Sequence, residues 1–379
     1  MNYSSGGFIP PENNSPQYDN GSQPAYNIQN GPKISHFVPM DIWAREKMNI
    51  RRLSTAAAVT IIAFIASSAV FVTVLQGLLS FVLEADSLSD LFGSSYFTYL
   101  FEILYSVFFV GGPFFILGSV MKKRGFLTEI PMGKPKNTKM MPLILVGGFG
   151  LCLAGNVITS YFDILFKTIT GVELSMPEMP DTPHSFGGVM LFYISTAVIP
   201  AMIEEMALRG IVMQSLRRYG DWFAIICSAV IFGLMHCNLM QIPFALICGV
   251  IIGYAVISTG SLWTGIIIHF LNNAFTVTVQ IINDFYGLES MAYSVINTLF
   301  YVFIVIGGIC AFFYIRKYKT ESFRKSPLVN TGRDFVGFVP QYSAKVSEGS
   351  MFKAYFMTFP MLIAFVAVAY QTIITMMVL

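Results

Sequence analysis

Five ionisable side chains stand far from any loop signal in an otherwise apolar sequence: Glu204, Glu205 and Arg209 in one run, His236 in a second and His269 in a third. A charge held inside hydrocarbon is costly, so such a group marks a function by default. On a helix Glu204 and Glu205 point about 100° apart and are not expected to face one partner, whereas Glu205 and Arg209 lie one turn apart and can neutralise each other. Glu204 is then free to act elsewhere. Phe232 and His236 share the fourfold spacing on a second helix, and His269 and Asn273 repeat it on a third. Two chemistries fit this set. In one, Glu204 deprotonates a water held by His236 while His269 and Asn273 donate hydrogen bonds to the oxyanion that forms. In the other, His236, His269 and Glu204 hold a Zn²⁺ ion with a fourth position left for water. Both hydrolyse an amide, and the choice between them stays open. An HExxH zinc-protease signature and a GxSxG elbow are absent.

Those side chains need elements to hold them. Hydrophobic residues make up 55% of the chain and charged ones 12%, about half the usual charged share, which excludes a soluble globule. Residues 53–83, 103–121, 141–162, 185–203, 290–315 and 354–379 contain no Asp, Glu, Lys or Arg. Each is long enough to cross a hydrocarbon core of about 30 Å at about 1.5 Å per residue. Residues 222–283 also lack all four types and must fold back on themselves; bends at 238–243 and 258–261 divide them into spans near 222–238, 242–258 and 262–283. Such runs are helices, because backbone groups in hydrocarbon are satisfied within the segment, and the alternation of a membrane barrel is missing. The fold class is all-α, a polytopic transmembrane helical bundle with about nine spans.

Charge orders the loops. Lys33, Arg45, Lys47, Arg51 and Arg52 precede the first span, six bases face Glu129 in 122–140, Arg217 and Arg218 end the fourth span, and eight bases face three acids in 316–353. The intervening loops carry Glu84, Asp86 and Asp90, then Glu173, Glu178 and Asp181, then Asp284 and Glu289, with Lys167 the only base there. By the positive-inside rule the protein is multi-pass in the cell membrane with a cytoplasmic N-terminus. Residues 1–52 are expected to be a disordered cytoplasmic tail ending in a juxtamembrane segment, because 1–35 are dominated by Asn, Gln, Pro, Gly, Ser and Tyr. Two accessory helices (53–139), a core (140–315), a cytoplasmic loop (316–353) and a last transmembrane helix (354–379) follow. The five cysteines lie in apolar spans without a CxxC pair and read as small hydrophobes. The net charge of +2 follows from loop asymmetry, so no nucleic-acid partner is implied. Glu102 and Asp163 lie near span ends and are expected at the interface.

Depth tests whether the polar groups can meet. Measured from the basic side, Glu204 lies about 20 Å in, His236 about 22 Å and His269 about 13 Å, so the seventh span has to tilt or start below the surface. Gly233 and Gly265 are available for close helix approach.

The strings EEMALR, FGLMH and HFLNN, in that order, resemble the EExxxR, FxxxH and HxxxN or HxxxD motifs of the CPBP intramembrane proteases, which include the type II CAAX prenyl endopeptidases. The resemblance covers about residues 140–310. It implies hydrolysis of a peptide bond within or at the edge of the bilayer, with Glu204 as the base. Glu205, Arg209, His236, His269 and Asn273 complete the catalytic set, and Phe232 is expected at the substrate-binding surface. The family includes members described as metalloproteases and members described as glutamate-dependent, so Zn²⁺ stays open as a cofactor. The implied partners are a peptide or protein substrate, lipidated in CAAX-type processing or a bacterial peptide or membrane protein, and the lipid bilayer. The competing reading is a non-catalytic membrane scaffold or a proton-coupled transporter that uses the same carboxylates as a relay.

Overall fold

A backbone that cannot reach water has to bond to itself, and the described residues do so in helices, with no strand among them. A computed structural model describes residues 42–84, 87, 90–91, 94–174, 179–317, 323–326 and 347–378. The expected tail at 1–35 and most of the 316–353 connection lie outside these. The helices are α1 (Ile42–Val82), α2 (Ser95–Lys123), α3 (Met141–Thr170), α4 (Phe186–Tyr219), α5 (Asp221–Met235), α6 (Gln241–Thr259), α7 (Leu262–Tyr286), α8 (Met291–Lys317), α9 (Glu348–Phe356) and α10 (Phe359–Val378). Eight of them are long and apolar enough to cross a membrane. The exception among the nine expected spans is α5, whose 15 residues reach only about 22 Å at 1.5 Å per residue.

The shortness of α5 matters because its end carries a site residue. The chain leaves α5 at His236, passes Cys237 in a left-handed conformation (φ 47°) and re-enters α6 at Gln241. Non-helical backbone at membrane depth is tolerated only inside protein or beside a wet cavity. Asn238 supplies the missing partners here: it is buried, and its Oδ1 accepts the backbone N–H groups of Met240 and Gln241, each at 3.0 Å. Asn238→Ala should therefore lower stability by about 1–2 kcal/mol, a lost helix cap at a buried position. Thermal unfolding in detergent checks this.

Small residues bring the helices close, as packing in lipid favours. A Cβ added at Gly150 of α3 would meet the Gly307 Cα of α8 at 2.7 Å, and one at Gly249 of α6 would meet the Ala229 Cβ of α5 at 2.8 Å. Both expected close-approach glycines behave this way, since a Cβ at Gly233 would lie 2.9 Å from the Ile242 carbonyl.

The connections sort to two ends of the bundle. At the basic end, Lys136 donates its backbone N–H to Thr259, Leu262 to Pro131, and the Ser261 hydroxyl bonds the Gly133 carbonyl. Residues 131–136 thus cover the α6–α7 corner, so α7 begins beneath a layer of chain rather than at the end surface. At the acidic end, the Tyr99 hydroxyl donates to the Asp181 carbonyl and Thr182 to Asp284.

Candidate active site

The site grows from irregularities in α4. A π-helical turn at Ile194–Val198 leads into a short α-helical stretch with Pro200 near its start, and a second π-turn at Met206–Val212 begins directly after Glu205. Such wide turns recur at functional sites because they re-aim side chains and loosen the backbone ladder. Their freed carbonyls find side-chain partners. Pro200 has no N–H to give the Thr196 carbonyl four residues back, and the Asn273 amide of α7 donates to it at 3.3 Å. Gln214 likewise donates to the Arg209 carbonyl at 2.9 Å.

Glu205 and Arg209 form the expected pair within α4, with Nη1 to Oε1 at 2.7 Å and both side chains fully buried. The guanidinium also lies over the Phe232 ring, 4.4 Å from its centroid, which offsets part of the cost of burying it. Glu204 is different, with its side chain 21% exposed and in no ion pair with an arginine or lysine among the described residues.

His269 joins the two acids, contrary to the expectation that they face different partners. Its Nδ1 lies 2.9 Å from Glu205 Oε1, and its Nε2 lies 3.8 Å from Glu204 Oε2. Carboxylates projecting in different directions can share an imidazole because its two nitrogens sit on different edges of the ring. The Glu205 carboxylate accepts, so Nδ1 carries a proton, and in the neutral imidazole Nε2 then presents a lone pair toward Glu204. His236 is held the same way: its Nδ1 contacts the Phe232 carbonyl at 2.9 Å, which can only accept, so its Nε2 is bare as well.

Phe232 ties the second histidine to the first. Its ring packs edge-on against both imidazoles, with centroid separations of 5.0 Å to His236 and 5.8 Å to His269. It was expected at the substrate-binding surface, but it is only 4% exposed, and the guanidinium and two imidazoles occupy its surroundings. Its position is that of a wedge under the site.

The geometry does not favour the zinc arrangement. Both Nε2 atoms are in the form that binds metals, but among the described residues no three His, Cys, Asp or Glu side chains cluster closely enough to hold an ion. His236 and His269 pack against the same Phe232 ring. The residues present therefore do not fit Zn²⁺ in this arrangement.

Two polar residues near the site escaped sequence reasoning. Asn272 is buried beside Asn273, donating to its Oδ1 at 3.3 Å; its threefold spacing from His269 was the available signal. Glu102, expected at the interface, instead faces the hydroxyls of Ser195 and Thr196 on α4, with Oε2 buried and unpartnered. Asp163, near the outer end of α3, accepts from the Leu174 N–H of the following loop at 3.1 Å.

Gly265 makes room for this cluster. A Cβ there would lie 2.7 Å from Val256 Cγ2 and 3.1 Å from Glu205 Oε2. Gly265→Ala should cost about 1–3 kcal/mol by overpacking and displace Glu205 from His269. Unfolding in detergent, compared with Gly308→Ala on α8, where an added Cβ meets nothing within 4 Å, measures it.

A polytopic helical bundle with a buried cluster of acid, imidazole and guanidinium has the make-up of an intramembrane peptidase. Residues 186–275, which contain all three motifs, match the family described as Type II CAAX prenyl endopeptidase Rce1-like, so the resemblance carried by the motifs holds. Over 184 residues the chain is 26% identical to the membrane-embedded CAAX protease MroQ of Staphylococcus aureus (strain USA300), an alignment covering 47% of this chain and 72% of that protein. Over 94 residues it is 28% identical to YdiL of Bacillus subtilis (strain 168), whose name describes a membrane peptidase, covering 24% of this chain and 38% of the relative. No solved structure matches the chain.

Proposed function

We propose that this protein is a glutamate-dependent intramembrane endopeptidase. Its catalytic unit is residues 140–315, with α1, α2 and α10 as accessory helices, set in the cell membrane with a cytoplasmic N-terminus. The observation that supports this most is the unequal treatment of two adjacent acids. Glu205 is fully buried and neutralised by Arg209, whereas Glu204 keeps a partly exposed carboxylate 3.8 Å from a bare imidazole nitrogen.

In this reading a water donates one hydrogen bond to Glu204 and another to His236 Nε2, leaving its lone pairs free for the substrate carbonyl. As oxygen bonds to the carbonyl carbon, Glu204 takes the water proton and the carbonyl π electrons move onto oxygen. The proton is then shared with His269 Nε2. The imidazolium so formed is held at Nδ1 by Glu205, as a buried acid holds the histidine of a hydrolytic triad. The tautomer thus refines the part expected of His269, which donates to the oxyanion or the leaving nitrogen only after this transfer. The second N–H of Asn273 is the neutral donor for the oxyanion. Collapse of the intermediate breaks the C–N bond as the proton passes to the departing amine.

The substrate in this proposal is a membrane-presented peptide or protein, with lipidated C-terminal peptides the first class to try because that is what the family description names. The test is cleavage of lipidated and unlipidated peptides by the detergent-purified protein before and after exhaustive chelation. Cleavage that survives chelation supports the reading. Activity lost on chelation and restored by Zn²⁺ would replace it with a metalloprotease, and no cleavage of any peptide class would favour a scaffold.

A further inference from the structure

Outside the site, a lipid-facing crevice of about 780 Å³ lies between α1 and α2. Its walls are one face of each helix. On the α1 side they run from Met48 to Ser67, about 28 Å at 1.5 Å per residue, and on the α2 side from Phe108 to Arg124, just past the helix end, about 24 Å. It stays open for reasons visible in the sequence. Ala56, Ala63 and Gly112 provide little side chain to fill it, and the π-turn Ser106–Gly111 followed by Pro113 disturbs α2 just where the two helices would otherwise close.

The chemistry of the crevice is polarised. Its interior is apolar, and its mouth at the basic end carries Arg51, Arg52 and Arg124, with no acidic residue in the lining. Arg45, Arg209, Arg217 and Arg218 all have carboxylate partners, whereas among the described residues Arg51, Arg52 and Arg124, like Arg316 and Arg324 elsewhere, form no ion pair. Loop charge asymmetry accounts for bases at this end of the bundle, but not for three unpaired guanidinium groups at the mouth of an open apolar slot.

We propose that this crevice is a binding site for one anionic glycerophospholipid of the leaflet at the basic end, with its phosphate on Arg51, Arg52 and Arg124 and an acyl chain laid between α1 and α2. Guanidinium groups match phosphate oxygens in charge and geometry. A basic pocket between transmembrane helices favours a net anionic headgroup over a zwitterionic one, whose own cation would meet the arginines. The slot's length covers one leaflet, half of the roughly 30 Å hydrocarbon core, plus the headgroup level. The site is independent of the hydrolase reading.

The experiment is native mass spectrometry of the full chain in detergent, titrated with phosphatidylglycerol or phosphatidylcholine of identical acyl chains. One phosphatidylglycerol per chain should be retained at concentrations at least about tenfold lower than phosphatidylcholine requires. The triple variant Arg51→Gln, Arg52→Gln, Arg124→Gln should lose that preference, and the triple lysine variant should keep it. The pair Ala56→Phe, Ala63→Phe fills the slot with the arginines intact, and it should lower retention of both lipids. This pair decides the matter if the glutamine variant does not fold. Equal retention of the two lipids, or a preference that survives the glutamine substitutions, would overturn the proposal. So would displacement of the lipid by inorganic phosphate alone, which would mean the chain contributes nothing. Displacement by a farnesylated peptide, equally well from wild type and the glutamine variant, would assign the crevice to substrate instead.

Discussion

Glu204→Gln should leave the protein inserted and folded while lowering kcat for peptide cleavage by about 10³-fold, within the range that a positioned general base contributes. Glutamine keeps the size and much of the hydrogen-bonding capacity of glutamate but cannot take the proton from water. The change is also structurally mild. Glu204 has no arginine or lysine partner among the described residues, so removing its charge strands no opposite charge in the bundle. Two measurements decide it: steady-state cleavage of a peptide substrate, and thermal unfolding in the same detergent. A variant with unchanged kcat would remove Glu204 from the chemistry, and one that fails to fold would make its role structural. His236→Ala should fall between these extremes, because it removes one of two groups holding the water but leaves the base.

Arg209→Met should produce the opposite pattern, with the loss appearing first in stability. The guanidinium is fully buried, bonded to Glu205 and laid on the Phe232 ring. Removing it leaves the Glu205 carboxylate in apolar surroundings with only His269 as a partner, and breaking a buried pair from one side costs about 3–5 kcal/mol. Adding Glu205→Gln to Arg209→Met removes the stranded charge and should recover more than half of that loss. A double-mutant cycle on unfolding free energy reads the coupling directly. If the two substitutions prove additive, the pair does not act as a unit and Glu205 must be stabilised by something else. Activity need not recover with stability, since the double variant lacks the carboxylate that holds His269 Nδ1. The adjacent acids thus separate experimentally, Glu204 by rate and Glu205 through its arginine by stability.

Much of this arrangement was legible from local patterns. Among the described residues hydropathy located the long apolar helices, because a backbone in hydrocarbon must close its hydrogen bonds within the segment that enters it. The fourfold spacing of Glu205 and Arg209 foretold their ion pair, because residues one turn apart on a helix are neighbours whatever surrounds them. The same reasoning failed at Glu204 and Glu205 themselves. Their angular separation was read correctly, but a partner with two nitrogens on different edges can meet both. The fourfold spacing of Phe232 and His236 foretold their ring contact, but the resemblance that puts Phe232 at the substrate-binding surface does not show that the guanidinium and both imidazoles pack around it. Position along the chain puts Glu102 near a span end, and only the packing of α2 on α4 turns its carboxyl toward Ser195 and Thr196.

By itself, then, the sequence determined what is local or additive: the helices, the apolar surface, the sorting of charge to two ends, and the identity of the polar groups available. Three-dimensional packing alone decided which of those groups share a partner. The Thr196 carbonyl that Pro200 leaves free is met by the Asn273 amide of another helix, the His269 ring is oriented by an acid from α4, and a distant loop lies over the corner where α7 begins. Those outcomes depend on distances between helices, which no periodicity along a single chain encodes.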